Sequence, residues 1–303
     1  MKIARFNDDR IGVVRNDTHI VDVSDAISHR VEKGPQTVIE EVIDQFDSYR
    51  RVFERRLDQE SGVPLASVKL LAPVPRPSKC LAAFSNYLDS PTRKIENMPN
   101  EYFYKAPELL GPEGTIELLD LPQVVVYQPE AELAFVMKRT PRNVKQADAM
   151  NYVFGYVPFF DISARGLVRR TQFVPKGQDT HGPCGPWITT SDEVVEPHKL
   201  VVKSWVNGQP RQNYGTQFMA HKIDDQIAWL TRFVRFQPGD VVATGTYHVG
   251  LGPLNDGDIL EIEIVGLGKA RFFVKGYGPR KEADWLPGVS QPTPPPGGGI
   301  TKI

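Results

Sequence analysis

Cysteine is nearly absent from this sequence: Cys80 and Cys184 are the two among 303 residues, and neither belongs to a CxxC pair or a short-spaced Cys/His array. A disulfide framework and a zinc ribbon are thereby excluded, and a reducing, cytoplasmic setting is expected. No apolar run approaches the ~20 residues that span a bilayer. The opening MKIARFNDDR carries acidic residues where a secretory signal needs an apolar core, so neither secretion nor membrane insertion is expected. An excess of one charge is missing too. With 36 Lys+Arg against 37 Asp+Glu, net charge −1, sequence-independent nucleic-acid binding has no electrostatic basis, and the expected partner is a small molecule. What is present is an ordinary globular balance, 40% hydrophobic and 24% charged, in a chain long enough for one large domain and a small one.

Short β-rich runs over Lys2 to Phe6, Ile11 to Arg15 and His19 to Val23, separated by Asn and Asp, predict a small meander. Pro35 then introduces helical periodicity through Val38, Ile39, Val42, Ile43, Phe46, Tyr49, Val52 and Phe53, read as one helix with a covered face. The proline-rich stretch Leu71 to Pro77 favours extended chain and sets a domain boundary near Ala72. Beyond it, strands are predicted over Val124 to Val136, Val153 to Phe160, Leu200 to Val206, Val241 to Thr244, Ile259 to Val265 and Ala270 to Val274. Asn207-Gly208 marks a hairpin, and Asp224 is read as the N-cap of a helix running through Phe233. The tail after residue 280, with its Pro and Gly runs, is too poor in apolar side chains to pack. The expected organisation is a small α+β unit over residues 1–71, a β-rich α+β body over residues 72–280, and a flexible tail over residues 281–303.

The chemistry concentrates in acidic side chains. In Glu130-Ala131-Glu132 the strand period of two puts both glutamates on one face, their carboxylates starting about 7 Å apart and able to converge on one cation. Taken alone, the pair also fits an alternating strand with a solvated acidic face. Asp161 follows the apolar run Phe159-Phe160, where an unpaired charge is expensive and a cation would remove the cost. Asp161 also fits a helix N-cap with Arg165 one turn on.

These residues sit within an ordered set: Leu71-Ala72-Pro73, Asn86-Tyr87, Phe103-Tyr104-Lys105, Glu130-x-Glu132, Gly155-Tyr156 leading to Asp161-x-Ser163-Ala164-Arg165, Lys176-Gly177-x-Asp179-Thr180, Gly185-Pro186-Trp187, and Gly239 through Thr246. In that combination, spanning roughly Val68 to Tyr277, the chain resembles the fumarylacetoacetate hydrolase family. The resemblance implies a mixed β-roll, a homodimer, and a Mg²⁺ or Mn²⁺ ion held at Glu130, Glu132 and Asp161. It further implies a 2-oxo acid or enol substrate clasped by that ion. Lys176, Arg165 and Thr180 match positions about the metal, while Gly245 and Thr246 match a corner that binds a substrate carboxylate, with Tyr87 and Lys105 around the same pocket.

The resemblance fails at one catalytic element. Hydrolytic members carry Asn-Tyr-x-x-His, then Glu three residues later, on a lid that activates water, whereas Ser90 and Arg93 stand at those places here with Pro91 between them. Phe160, Gly166 and Tyr247-His248 are further departures. Asp89, His181 and His248 are the candidate substitute bases. The expected activity is metal-dependent hydrolysis of a carbon–carbon bond in an acylpyruvate-like acid. A lyase, decarboxylase, hydratase or isomerase using the same enolate is the alternative, and a catalytically silent metal- or ligand-binding homologue a second.

Overall fold

A computed structural model describes residues 1–28, 30–121, 124–166 and 171–276; the expected tail lies outside the described residues. The strands run β1 (Lys2–Phe6), β2 (Arg10–Arg15), β3 (His19–Asp22), β4 (Val63–Pro64), β5 (Leu70–Leu71), β6 (Cys80–Ala83), β7 (Tyr102–Tyr104) and β8 (Thr115–Leu118). They continue as β9 (Val126–Met137), β10 (Val153–Arg165), β11 (Ile188–Thr190), β12 (Val201–Val206), β13 (Gln209–Gly215), β14 (Val241–Ala243), β15 (Ile259–Ile264) and β16 (Gly268–Gly276). The α-helices are α1 (Arg30–Lys33), α2 (Pro35–Asp44), α3 (Phe46–Gln59), α4 (Phe173–Lys176) and α5 (Ile223–Leu230). None is long and apolar enough to cross a membrane.

Two mixed sheets result, a β-rich α+β architecture. The larger has the order β4-β3-β2-β1-β11-β10-β9-β14-β6-β7, with β5 on β1, and the smaller is β13-β12-β15-β16-β8. The N-terminal meander is hydrogen-bonded into the large sheet, since β1 pairs with β11 through Lys2 opposite Thr189. One face of the large sheet packs Ala131, Leu133, Phe135, Phe160 and Ile162 against Leu260, Ile262 and Phe272 of the small sheet. The opposite face packs Ala134, Val136, Val157 and Phe159 with Val38, Ile39, Val42 and Phe53 of α2 and α3. Both cores follow from period-two burial on β9 and β10, whose full length is covered from both sides.

Three readings of local structure are corrected. The periodic stretch from Pro35 is two helices divided at Gln45, whose φ of −112° and ψ of 23° leave the helical range. Asp161 is not an N-cap: β10 carries on to Arg165, every residue buried, so the ladder outcompetes a helix start. The last helix begins at Ile223 and ends at Leu230, with Lys222 rather than Asp224 as N-cap. The Ile223 amide finds its acceptor in His198 Nε2 at 3.1 Å, so no Asp cap is required. The Asn207-Gly208 hairpin forms as expected, joining β12 to β13 through a turn with φ of 53° and 73° at its two residues.

Candidate active site

β9 and β10 are antiparallel neighbours with Asp161 directly opposite Glu130, and Phe159 opposite Glu132. Directly paired residues share a face with Cβ atoms about 5 Å apart, so Glu130, Glu132 and Asp161 converge on the helix-facing side of the large sheet. One carboxylate oxygen from each lies within 4.8 Å of the others. All three side chains are buried, Glu132 completely.

Buried carboxylates at this spacing repel, and three cations answer them. Lys176, at the end of α4, donates to Glu130 Oε2 at 2.7 Å and Asp161 Oδ2 at 2.5 Å. Lys105, following β7, donates to Asp161 Oδ1 at 2.7 Å and to the Lys176 carbonyl. Arg165 donates to Glu130 through Nη2 and to Gln128 Oε1 through Nε at 2.7 Å. Burial opposes the ionisation of Glu130, but Lys176 and Arg165 outweigh it and hold that carboxyl well below the usual range. Burial likewise lowers the proton affinity of Lys105, against the pull of Asp161.

Glu132 is treated differently. The Gly245 amide donates to its Oε2 at 2.7 Å, and its Oε1 is buried with no hydrogen-bond partner. Burial first, then Asp161 and Glu130, push its carboxyl well above the ordinary value. An anionic, all-oxygen set with one orphaned, buried acceptor fits a hard divalent cation: the ion supplies the charge that Glu132 lacks.

The position of Gly245 follows from where β14 stops. β14 pairs with β9 from Val136 to Ala134, and Thr244 closes the ladder by donating to the Leu133 carbonyl at 2.9 Å. Past that point, among the described residues, no strand continues along the β14 side of β9 to meet Ala131, whose other side faces Phe160 of β10. Gln212 Oε1 accepts the Ala131 amide at 3.0 Å, and the Ala131 carbonyl accepts from the Tyr214 and Thr246 hydroxyls at 2.5 and 2.8 Å. Gly245 turns away with φ of 87°, a conformation glycine adopts freely.

Glu130, Asp161, Arg165, Lys105 and Lys176 are thus brought into one hydrogen-bonded cluster, with Glu132 and its Gly245 donor beside it. Thr246 adjoins it, with its hydroxyl hydrogen committed to Ala131 and its oxygen accepting from Gln212 at 2.8 Å. Asp89 and His248 form a pair, with Asp89 Oδ2 2.5 Å from His248 Nδ1. Thr180 and His181 instead bind β8: Thr180 Oγ1 accepts from the Glu117 amide at 2.9 Å, and His181 Nε2 lies 3.1 Å from the Glu117 carbonyl. Burial, then Lys105, pull the His181 proton affinity down to about 3. Tyr87 is fully buried edge-on against Tyr214, their centroids 5.2 Å apart. Gln128 and Gln212 were not anticipated. Gln128 shares the two-residue period of the glutamates and was legible by that rule, whereas Gln212 reaches Ala131 from a different sheet and left no local signal.

Comparison with known proteins agrees with this geometry. The model of the fumarylacetoacetate (FAA) hydrolase C-terminal domain matches residues 79–275. Maleylpyruvate hydrolase of Aquipseudomonas alcaligenes is 32% identical over 287 residues, covering 88% of this chain and 97% of that protein. The human mitochondrial oxaloacetate tautomerase FAHD2A is 35% identical over 249 residues, 77% of this chain and 78% of that protein. Among solved structures, maleylpyruvate hydrolase from Sphingobium sp. SYK-6, in complex with manganese(II) ion and pyruvate, superposes with a TM-score of 0.81 at 34% identity, covering 91% of this chain and 99% of that one.

Proposed function

The chain belongs to the fumarylacetoacetate hydrolase family, and on that premise we propose that it is a divalent-metal-dependent hydrolase of acylpyruvates, yielding pyruvate and a carboxylic acid. The observation that carries the reading is the triad of buried carboxylates on paired strands, with Glu132 left without a cation of its own. Support comes also from the relatives named maleylpyruvate hydrolase, one of them solved with manganese and pyruvate.

Glu130, Glu132 and Asp161 would hold the ion, with Mn²⁺ or Mg²⁺ matched by their oxygen donors. When bound, such an ion would polarise a 2-oxo group and supply positive charge against the negative charge that develops as the carbon–carbon bond breaks. The protein's own residues set this up. Lys176 and Arg165 keep Glu130 ionised, Lys105 holds Asp161, and the Gly245 amide aims Glu132. Burial of the cluster keeps bulk water from these groups, which strengthens each charge interaction.

The test is turnover of a panel of acylpyruvates with Mn²⁺ or Mg²⁺, products followed by NMR. Pyruvate and the matching acid in equal amounts, abolished by chelation, are the expected result; no cleavage of any member overturns the reading. A tautomerase reading is favoured by Ser90 and Arg93 standing where the water-activating pair is expected. Keto–enol interconversion without cleavage would identify it.

A further inference from the structure

With Ser90 and Arg93 unable to accept a proton near neutral pH, hydrolysis needs a base from elsewhere. The chain between Asn86 and Arg93 supplies half of one. Asp89 is nearly buried, its Oδ2 accepting from the His248 backbone amide at 3.1 Å and lying 2.5 Å from the His248 Nδ1. Its other oxygen takes an ion pair from Arg93 Nε at 3.1 Å, and Arg93 Nη1 donates to the Tyr87 carbonyl at 3.0 Å. The residue that displaces the family's lid glutamate therefore clamps Asp89 instead.

A carboxylate only accepts, so Nδ1 carries the proton of the neutral ring and Nε2 holds the free lone pair. Nε2 makes no hydrogen bond among the described residues. The double attachment to Asp89, through ring and backbone, fixes both the tautomer and the direction of the ring. His248 is also placed at the site. It lies three residues beyond Gly245, whose amide holds Glu132, so its Cα is within about 11 Å of that of Gly245 even in a fully extended chain. A positive charge on His248 is felt at Glu130, where it favours the carboxylate. The charged groups about the ring are thus Asp89, Arg93 through Asp89, and Glu130.

Resting on the acylpyruvate reading, we propose that His248 is the general base of this enzyme, with Asp89 as its positioning residue and Arg93 as the clamp on Asp89. Nε2 takes a proton from water as the water oxygen bonds to the acyl carbonyl carbon. The bond from that carbon to the adjacent methylene then breaks, its electron pair staying with the pyruvate fragment as the enolate. The proton on Nε2 passes to the methylene carbon, giving the pyruvate methyl group, and the released acid ionises to solvent. This is the work of a His/Glu lid pair, performed by a His/Asp pair from different segments.

The test compares wild type with His248→Ala, Asp89→Asn and Asp89→Glu, each checked for an unchanged melting temperature and for Mn²⁺ affinity by electron paramagnetic resonance. Two readouts are used: acylpyruvate turnover, and deuterium exchange at C3 of pyruvate, which needs proton transfer but no cleavage. Loss of a general base lowers kcat by about 10²-fold or more. That loss is expected in His248→Ala on both readouts, with KM within about 3-fold, partial rescue by added imidazole, and Asp89→Glu more active than Asp89→Asn. Wild-type turnover with His248→Ala within about 3-fold of it overturns the dyad and leaves the hydrolase reading intact. A wild type that exchanges pyruvate protons but cleaves nothing sinks the hydrolase reading, and the dyad then stands or falls on whether His248→Ala still exchanges. A wild type that neither cleaves nor exchanges overturns both.

Discussion

Replacing Glu132 by glutamine separates the structural work of that residue from its metal work. In the metal-free protein burial, Asp161 and Glu130 raise the Glu132 carboxyl well above its ordinary value, so the folded state holds that proton more tightly than the unfolded chain. Stability from this group is therefore full below the ordinary glutamate range. It is lost as pH rises towards the raised value, because the unfolded chain releases the proton first, at up to about 1.4 kcal/mol per pH unit. The glutamine variant has no proton to lose. Metal-free Glu132→Gln is expected to melt at or above metal-free wild type at neutral pH, with the advantage growing as pH rises through that window. Metal reverses the order: at 100 times its Kd an ion stabilises the wild type by about 2.7 kcal/mol. For a chain of this size that is roughly 5 °C, at about 2 °C per kcal/mol. The variant should lose most of that shift. Differential scanning calorimetry at several pH values, with chelator and with Mn²⁺, reads both quantities. A variant keeping the full Mn²⁺ shift, or one melting well below wild type in chelator, would refute the reasoning.

Lys176→Met leaves Glu130 to Arg165 alone and Asp161 to Lys105 alone, and should cost about 1.5–3 kcal/mol in urea unfolding without metal as its charged hydrogen bonds are lost; a loss under 1 kcal/mol would contradict the pairing. Gly245→Ala meets both a φ of 87° and a Cβ contact of 3.1 Å to the Asn86 Cβ. About 1–2 kcal/mol of strain is expected, with weaker Mn²⁺ binding as the amide leaves Glu132, and unchanged affinity would remove that amide from the site. Phe53→Ala empties a fully buried position between α3 and the large sheet, and a loss of about 3–5 kcal/mol is expected with kcat of the folded fraction unchanged; a drop in kcat would tie this helix to the chemistry.

What could be read from the residues alone is what depends on short range. Glu130 and Glu132 share a face because a strand repeats every two residues, and Asn207-Gly208 turns because both positions tolerate positive φ. Elements decided by distant partners were misread. The break at Gln45 involves neither proline nor glycine. α5 stops at Leu230 although Phe233 keeps the helical phase, because the Thr231 hydroxyl bonds the Ile227 carbonyl at 2.9 Å and accepts from the Val144 amide at 3.0 Å, leaving Phe233 exposed. The site divides along the same line. The two glutamates lie in one strand, but the pairing of Asp161 with Glu130, the salt bridges from Lys105, and the meeting of Asp89 with His248 across 159 residues are made by topology. Spacing is blind to them, and here only the resemblance to a known family proposed some of the participants.

The early end of β14 gives the corner after Ala243 an unusual latitude. On the edge of β9 that β14 leaves open, Ala131 is bolted by side chains from β13 and by Thr246 rather than by a second strand, so residues 245–248 carry no ladder register for insertions or substitutions to slip. Such a seam lets the reactive corner be rewritten, with Tyr247-His248 where the family pattern has proline, while the acidic pair one strand away stays in place. A protein built this way can exchange its proton-transfer group without disturbing the pocket floor beneath it.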